Sequence, residues 1–375
     1  MTRRAAAMVL CLLVAASAFG ATIRLKDGRT VEGEILERGE KEIRVKLASG
    51  KVQTVKVSDV ASIDEGPSSS NETGDAPVDA ATKRYEKALG TPVTTVLTPL
   101  IALRGDHQAA DLRRQAEVAE RTARHFLQIF GGTPEEVLKG EERYGATRIE
   151  VFQFVKEDTY LTFCDKVLAR IRDESVDDAR LAFMRRQRGF WIVTPRFLMA
   201  QFMGPSDFTT CISAAVHKVS HEMLTLWKPS GTFRPWWLYE GLASWQEFAV
   251  LGETRTYCLE LARPEDYARP GSPEADEAAK ARLESGWKQK VRERVAARQE
   301  KELAVLGKMS LNELVLEDVQ QSWSVVDWLH RQGGLRTFAV AYKDKRDLSA
   351  AFQVLLGVPS SSAHEEWRAW VLKTY

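Results

Sequence analysis

Alternating apolar and polar positions mark the first part of the chain. Between residues 22 and 65 apolar side chains recur at every second position in short runs, for example Ile23 with Leu25 and Ile43 with Val45. This period of two is typical of strands that bury one face. Dipeptides suited to hairpin turns separate the runs, namely Asp27-Gly28, Arg38-Gly39 and Ser49-Gly50. The pattern predicts a small all-β barrel of four or five short strands over residues 21–65.

A change of pattern follows. Residues 66–81 have no periodic apolar face and are rich in Ser, Gly, Pro and acidic side chains, which predicts a linker. Beyond it, short β-branched runs alternate with segments whose apolar positions recur every three or four residues. Residues 82–375 therefore predict one larger domain of strands and helices, and the fold class of the whole chain is predicted as α+β.

The larger domain is predicted to contain strands at Val93–Leu103, Ile149–Val155, Phe190–Thr194 and Phe197–Phe202. Its helices are predicted at Ala109–Phe130, Tyr160–Ile171, Thr209–Trp227, Trp237–Leu251, Ser322–Arg331, Leu335–Lys343, Ser349–Leu356 and His364–Lys373. The span 274–306 is dense in Lys, Arg, Glu and Ala, which predicts a solvated helix with ion pairs four residues apart.

Composition and charge narrow the classes of function. The 375 residues include 53 basic and 52 acidic side chains, so no excess of positive charge attracts a polyanion. Residues 22–65 contain no aromatic side chain on which a base could stack. We therefore expect no nucleic-acid partner.

The first 20 residues have the pattern of a secretory signal peptide. Arg3 and Arg4 precede an apolar run at 5–19, and small residues follow near 16–20. The run is shorter than the roughly 20 residues that span a bilayer, which favours cleavage near residues 18–21. We expect an exported protein, periplasmic or extracellular, with no stable membrane insertion after cleavage.

Three cysteines remain after that cleavage: Cys164, Cys211 and Cys258. Their odd number and the absence of a C-x-x-C spacing support neither a disulfide framework nor a cysteine zinc site. We expect them to be mostly buried small hydrophobic side chains.

Two of the six histidines, His217 and His221, stand four residues apart within a predicted helix. Side chains at i and i+4 project from the same helix face, so both imidazoles can bind one metal ion. Eighteen residues separate His221 from Glu240, at the start of the next predicted helix. Two His and one Glu form the ligand set of a catalytic zinc site with a fourth position for water. The other four histidines are expected to be structural or exposed.

The string H-x-x-x-H, followed after this gap by Trp237-x-x-Glu240-Gly241-Leu242-Ala243, resembles the gluzincin metallopeptidases, specifically the bacterial peptidase-MA-like group. The resemblance covers roughly residues 80–375 and implies a thermolysin-like domain in which His217, His221 and Glu240 bind zinc. The segment 21–65 resembles the small Sm/SH3-like modules appended to bacterial envelope proteins.

Lys218 departs from this family pattern, which has the general-base Glu directly after the first histidine. A protonated lysine cannot accept a proton from a zinc-bound water. At about 5 Å and an effective dielectric constant near 20, it also repels a divalent ion by roughly 6 kcal/mol. We therefore expect Lys218→Glu to raise zinc affinity.

Two further positions, Glu222 and Ser244, are relevant to the comparison with the gluzincin pattern. Glu222 is a weak alternative base, because a motif beginning at His221 has Thr225 in place of its second histidine. Ser244 stands where some gluzincins have an Asp that orients a metal-bound histidine.

Three interpretations of function stay open at this stage. The first, which we favour, is a gluzincin-like pseudopeptidase that has lost its general base and binds peptide or protein partners in the cleft. The second is an active zinc peptidase that uses another base. The third is a metal-free envelope adaptor in which the histidine pair belongs to the core.

Overall fold

A computed structural model describes most of the chain. The described residues are 21–26, 29–38, 42–46, 51–64, 80–138, 148–168, 178–186, 189–192, 198–202, 208–231, 233–255, 258 and 281–375. The predicted signal peptide and nearly all of the predicted linker lie outside them. The chain divides into two compact units, Met1–Pro77 and Val78–Tyr375, and the division falls within the predicted linker at 66–81.

The first unit is an antiparallel sheet of five strands. These are β1 (Ala21–Leu25), β2 (Thr30–Arg38), β3 (Glu42–Lys46), β4 (Val52–Lys56) and β5 (Val60–Asp64), in the spatial order β4-β3-β2-β1-β5. Its buried side chains are Ile23, Leu25, Val31, Ile43, Val45 and Val55. They follow the period of two, so the alternation selects the buried face of each strand.

The second unit contains a mixed five-stranded sheet. Its strands are β6 (Thr94–Leu97), β7 (Ile101–Gly105), β8 (Ile149–Phe154), β9 (Gly189–Ile192) and β10 (Leu198–Phe202), in the order β6-β7-β8-β10-β9. β7, β8 and β10 run parallel, while β6 and β9 pair antiparallel at the two edges. With the helices of this unit, the chain is α+β.

The prediction of a single strand over Val93–Leu103 was wrong, because the described segment forms a hairpin of β6 and β7. The backbone N–H of Thr98 donates to the carbonyl of Ile101 at 2.9 Å, and the Thr98 hydroxyl accepts from the Ile101 N–H at 3.1 Å. Pro99 lies between them and has no N–H for a continuous ladder. The turn therefore splits the apolar run into β6 and β7.

Thirteen α-helices occur within the described part of the second unit. They are α1 (Ala80–Leu89), α2 (Ala109–Phe130), α3 (Pro134–Leu138), α4 (Glu157–Lys166), α5 (Asp178–Arg186), α6 (Phe208–Trp227), α7 (Trp236–Leu251), α8 (Glu284–Ala296), α9 (Leu303–Leu306), α10 (Leu316–Arg331), α11 (Leu335–Lys345), α12 (Leu348–Leu356) and α13 (Ser360–Thr374). Among the described residues, no helix combines the length and apolar character that crossing a membrane requires.

Of the charged span 274–306, residues 274–280 lie outside the described residues, and the described remainder is only partly the solvated helix that was predicted. Glu284 and Lys288 form the expected ion pair at 2.8 Å on α8. However, Trp287, Val291 and Val295 of the same helix are buried in the main core. The sequence did not indicate this buried apolar stripe, because lysine and arginine occupy most of the positions between its members.

α6 and α7 form the centre of the second unit. α6 is buried along most of its length, and α7 packs against α6 on one side and α10 on another. α7 ends at Gly252, whose φ of 80° is the left-handed conformation that closes a helix. The close approach of α10 requires Gly241, since a Cβ there would lie 2.7 Å from the backbone carbonyl of Ser322.

Replacement of Gly241 by Ala should therefore destabilise the protein, although alanine has the higher helix propensity by about 1 kcal/mol. We expect a loss of about 1–3 kcal/mol in the free energy of unfolding, as for other overpacked cores. Urea unfolding followed by circular dichroism measures it. An unchanged or higher stability would mean that α7 and α10 do not need this close approach.

Lys343 connects three helices from a buried position. Its Nζ donates to the carbonyl of Leu224 on α6 and to the hydroxyl of Tyr239 on α7. Burial, with the nearby cations Arg234 and Lys228, lowers the pKa of Lys343 from its ordinary 10.5 to about 7. Between these two pH values the unfolded chain binds a proton that the folded chain does not bind.

The free energy of unfolding should consequently rise with pH from about 7 to 10.5, by at most about 1.4 kcal/mol per pH unit from this group. Lys343→Met should flatten that rise, whereas Lys345→Met, at an exposed position of the same helix, should leave it unchanged. Chemical unfolding at a series of pH values makes the comparison. Equal pH slopes for wild type and Lys343→Met would contradict the lowered pKa.

Candidate metal centre

Two fully buried histidines face a buried carboxylate across the interface of α6 and α7. His217 and His221 lie one helical turn apart, with ring centroids separated by 4.7 Å. The Nε2 atom of His217 is 3.3 Å from Oε2 of Glu240, and the Nε2 atom of His221 is 3.4 Å from Oε1. The structure thus brings together the three side chains that the sequence proposed as metal ligands.

Cys258, which was not predicted to belong to the site, lies beside them. Its Sγ is 3.5 Å from Nε2 of His217, and its backbone N–H donates to Oε2 of Glu240 at 3.3 Å. One ligand atom from each of His217, His221, Glu240 and Cys258 can be chosen so that all four lie within 4.8 Å of one another. This largely buried group could hold a metal ion.

The spacing of these atoms is compatible with a metal site. In a tetrahedral site with bonds of about 2.0–2.3 Å, neighbouring ligand atoms lie roughly 3.3–3.7 Å apart. Nε2 of His217 lies 3.3 Å from Oε2 of Glu240 and 3.5 Å from Sγ of Cys258, which falls in this range. His221 faces the other oxygen of Glu240 at 3.4 Å, and the four ligand atoms together lie within 4.8 Å of one another. The arrangement could therefore hold an ion among the side chains.

Glu247 orients the first histidine. Its Oε1 lies 2.8 Å from Nδ1 of His217, the ring nitrogen that does not face Glu240. Its Oε2 accepts hydrogen bonds from the Ser213 hydroxyl and, at 3.0 Å, from the backbone N–H of Arg255. A carboxylate in this position fixes the ring and the tautomer of a metal-binding histidine.

Ser244 does not take this orienting role. It is fully buried on α7, and its hydroxyl has no hydrogen-bond partner among the described residues. Glu247 lies one further turn along the same helix, seven residues after Glu240. Side chains at i and i+7 share a helix face, so this spacing is the signal that the sequence reasoning missed.

Burial and facing charges set the electrostatics of the group. Burial lowers the pKa of His217, but Cys258 and Glu240 outweigh it and raise the pKa well above 6.5. Burial, with His217 and Lys218, lowers the pKa of His221 well below 6.5 against the opposing effect of Glu240. Burial raises the pKa of Glu240, but His217, His221 and the Cys258 N–H together lower it to about 2. Glu240 is therefore a buried anion that requires positive charge beside it.

Lys218 and Glu222, the two candidates for the general-base position, occupy different surroundings. Lys218 is half-buried, and its Nζ lies 3.5 Å from Sγ of Cys258. Glu222 is fully buried one helical turn after Lys218, and it adds to the rise in the pKa of Tyr239 that burial mainly causes. Neither belongs to the group of four ligands.

The prediction for the cysteines was correct for two of three. Cys164 and Cys211 are buried, but Cys258 is partly exposed and lines the candidate metal centre. It stands 18 positions after Glu240, and no local motif marks it. Its contacts with the histidine and the carboxylate are tertiary, which is why sequence spacing could not find it.

The remaining histidines take part in other contacts. His125 hydrogen-bonds Gln246 and stacks on Trp245, which His330 also contacts. His107 and His364 are buried, and Nε2 of His364 lies 3.7 Å from Glu300.

Neither a protein-family model nor a curated protein matches this chain.

Removal of the negative charge from Glu247 should weaken metal binding. We expect Glu247→Gln to lower zinc affinity roughly 10–100-fold, as for other carboxylates that support a metal-bound histidine. Ser244→Ala is the matched control, since it alters a buried polar residue of the same helix without touching His217. Competition with a coloured chelator measures the affinities. Equal losses in both variants, or none in Glu247→Gln, would contradict the orienting role.

Proposed function

We propose that this chain is an exported, zinc-binding relative of the gluzincin peptidases that has lost peptidase activity and binds peptide or protein segments. The observation that carries the proposal is the buried group His217, His221, Glu240 and Cys258, combined with Lys218 directly after the first histidine. The donors comprise two imidazoles, a carboxylate and a sulfur, a set that suits zinc better than magnesium or calcium. Bound there, zinc would supply Lewis acidity and would hold α6 and α7 together.

The loss of activity is inferred from the absence of a base at the required place. Lys218 is a cation, and Glu247 is already hydrogen-bonded to His217 and Ser213. Glu222 is not among the four candidate ligands, and a motif that begins at His221 has Thr225 in place of its second histidine. Peptide hydrolysis needs a group that accepts a proton from the attacking water, and the position directly after the first histidine has a cation instead.

The thermolysin-like fold belongs to this proposal. It is supported by the mixed sheet, the His-bearing α6 and the Glu-bearing α7 that follows it. In the described part of the sheet, β9 (Gly189–Ile192) lies at an edge, where an extended peptide could add as a further strand. A peptide or protein segment is therefore the partner that we propose.

The first unit is proposed to be an Sm/SH3-like barrel that serves as an interaction module or a spacer. Pairing of β5 with β1, in addition to the β1–β4 meander, supports this assignment. Export through the segment 1–20 also remains a proposal, based on its basic start and apolar run.

Metal analysis and a protease assay on the purified chain test the proposal. We expect about one zinc ion per chain by mass spectrometry, lost in His221→Ala and retained in His330→Ala, a histidine outside the group. Casein and a mixed peptide library should remain uncleaved.

Two results would overturn it in different ways. A wild-type chain that binds no zinc would favour the metal-free adaptor. Cleavage that a chelator stops and zinc restores would favour the active peptidase.

A further inference from the structure

The sulfur of Cys258 lies at the same distance from a lysine ammonium and from the ring nitrogen of a candidate metal ligand. It is 3.5 Å from the ammonium of Lys218 and 3.5 Å from Nε2 of His217, the nitrogen that also faces Glu240. The sulfur is thus placed both to bind an ion held by the histidines and to accept a hydrogen bond from the lysine.

Backbone N–H groups of two described residues, Arg255 and Cys258, donate to carboxylates of the site. The N–H of Cys258 donates to Oε2 of Glu240 at 3.3 Å, and the N–H of Arg255 donates to Oε2 of Glu247 at 3.0 Å. Both acceptors are carboxylates that already serve the metal centre, one as a ligand and one as the partner of His217. The carboxylates of Glu240 and Glu247 therefore help to position the cysteine as well as the histidines.

We propose that the thiolate of Cys258 is the fourth protein ligand of the metal and that Lys218 is the counter-ion of this thiolate. The inference rests on the proposed metal-binding function and extends it. On metal binding the thiol releases its proton to solvent, and the sulfur takes the position that a peptidase reserves for water. The site is then a closed site of the structural type rather than an open catalytic one.

Charge balance explains why a lysine is tolerated next to a divalent ion. Among the proposed ligands and the groups in contact with them, Glu240, Glu247 and the Cys258 thiolate supply three negative charges, while the ion and Lys218 supply three positive charges. A buried site is stable only when its charges are compensated in this way. Lys218 therefore stabilises the thiolate, and its attraction to the sulfur offsets its repulsion from the metal.

The lysine at position 218 and the added sulfur ligand then depend on each other. With four protein ligands the metal binds no water, so a general base at position 218 would have no water to activate. A cation at that position does have a role, because a thiolate has been added nearby. This reverses the expectation from the sequence alone, in which Lys218 only opposes the metal.

Cobalt substitution of the full chain tests the fourth ligand directly. Co²⁺ bound to a thiolate gives an intense sulfur-to-metal charge-transfer absorption in the near ultraviolet, and tetrahedral Co²⁺ gives strong visible bands. We expect both in the wild type and in Cys164→Ser, a buried cysteine outside the group. The charge-transfer absorption should be absent in Cys258→Ser. Zinc affinity should fall by about tenfold or more, because a direct ligand contributes at least as much as the outer-shell partners whose loss costs about 10–100-fold.

A double-mutant cycle tests the role of Lys218. In the wild-type background, Lys218→Met and Lys218→Glu should lower zinc affinity about tenfold or more, because the thiolate loses its counter-ion. In the Cys258→Ser background, Lys218→Met should raise the affinity, because only repulsion from the ion then remains. This reversal of sign is the signature of a lysine that acts through the sulfur.

The outcomes separate this inference from the proposed function. Co²⁺ bound by wild type without the charge-transfer absorption would overturn the thiolate ligand and leave the metal-binding proposal standing. Higher zinc affinity for Lys218→Met in the wild-type background would overturn the counter-ion role. A wild-type chain that binds neither ion would overturn both proposals. The wild-type spectrum decides about the ligand even if a variant fails to fold.

Discussion

The burial of the Glu240 carboxylate between two histidines is the constraint on which the centre of this structure depends. A fully buried anion is costly unless positive charge lies beside it. Here the imidazoles of His217 and His221 face its two oxygens at 3.3 and 3.4 Å, and the N–H of Cys258 donates to one of them. These separations are compatible with an ion shared by the three side chains. α6, α7 and Cys258 therefore meet at one buried charge.

The surrounding packing keeps that charge in place. Gly241 follows Glu240 and allows the backbone of α10 to approach α7 closely at Ser322. On another side, Lys343 bridges the end of α6 and Tyr239 of α7. Glu247 lies next to Nδ1 of His217, on the side of the ring away from Glu240, and also accepts a hydrogen bond from the backbone N–H of Arg255. The candidate metal centre thus lies within the helix core.

Local periodicity was enough to predict the framework of the site. The i,i+4 spacing of His217 and His221 placed both rings on one face of α6, and apolar periodicity predicted α6 and α7 to within one residue at each end. It failed where tertiary contacts decide. Pro99 divides an apolar run into two strands, and the buried stripe of α8 lies among charged residues. Cys258 carries no local signal, because its contacts with Lys218 and His217 are tertiary. Without a sulfur near position 218, the sequence indicated only repulsion between Lys218 and a metal ion.

We propose that the buried group is a closed metal centre with one sulfur ligand. X-ray absorption at the zinc edge of the purified chain can test this, because the technique reports the atoms bound to the ion. We expect one sulfur at about 2.3 Å and three nitrogen or oxygen neighbours at about 2.0–2.2 Å. A shell of nitrogen and oxygen atoms without sulfur would contradict it.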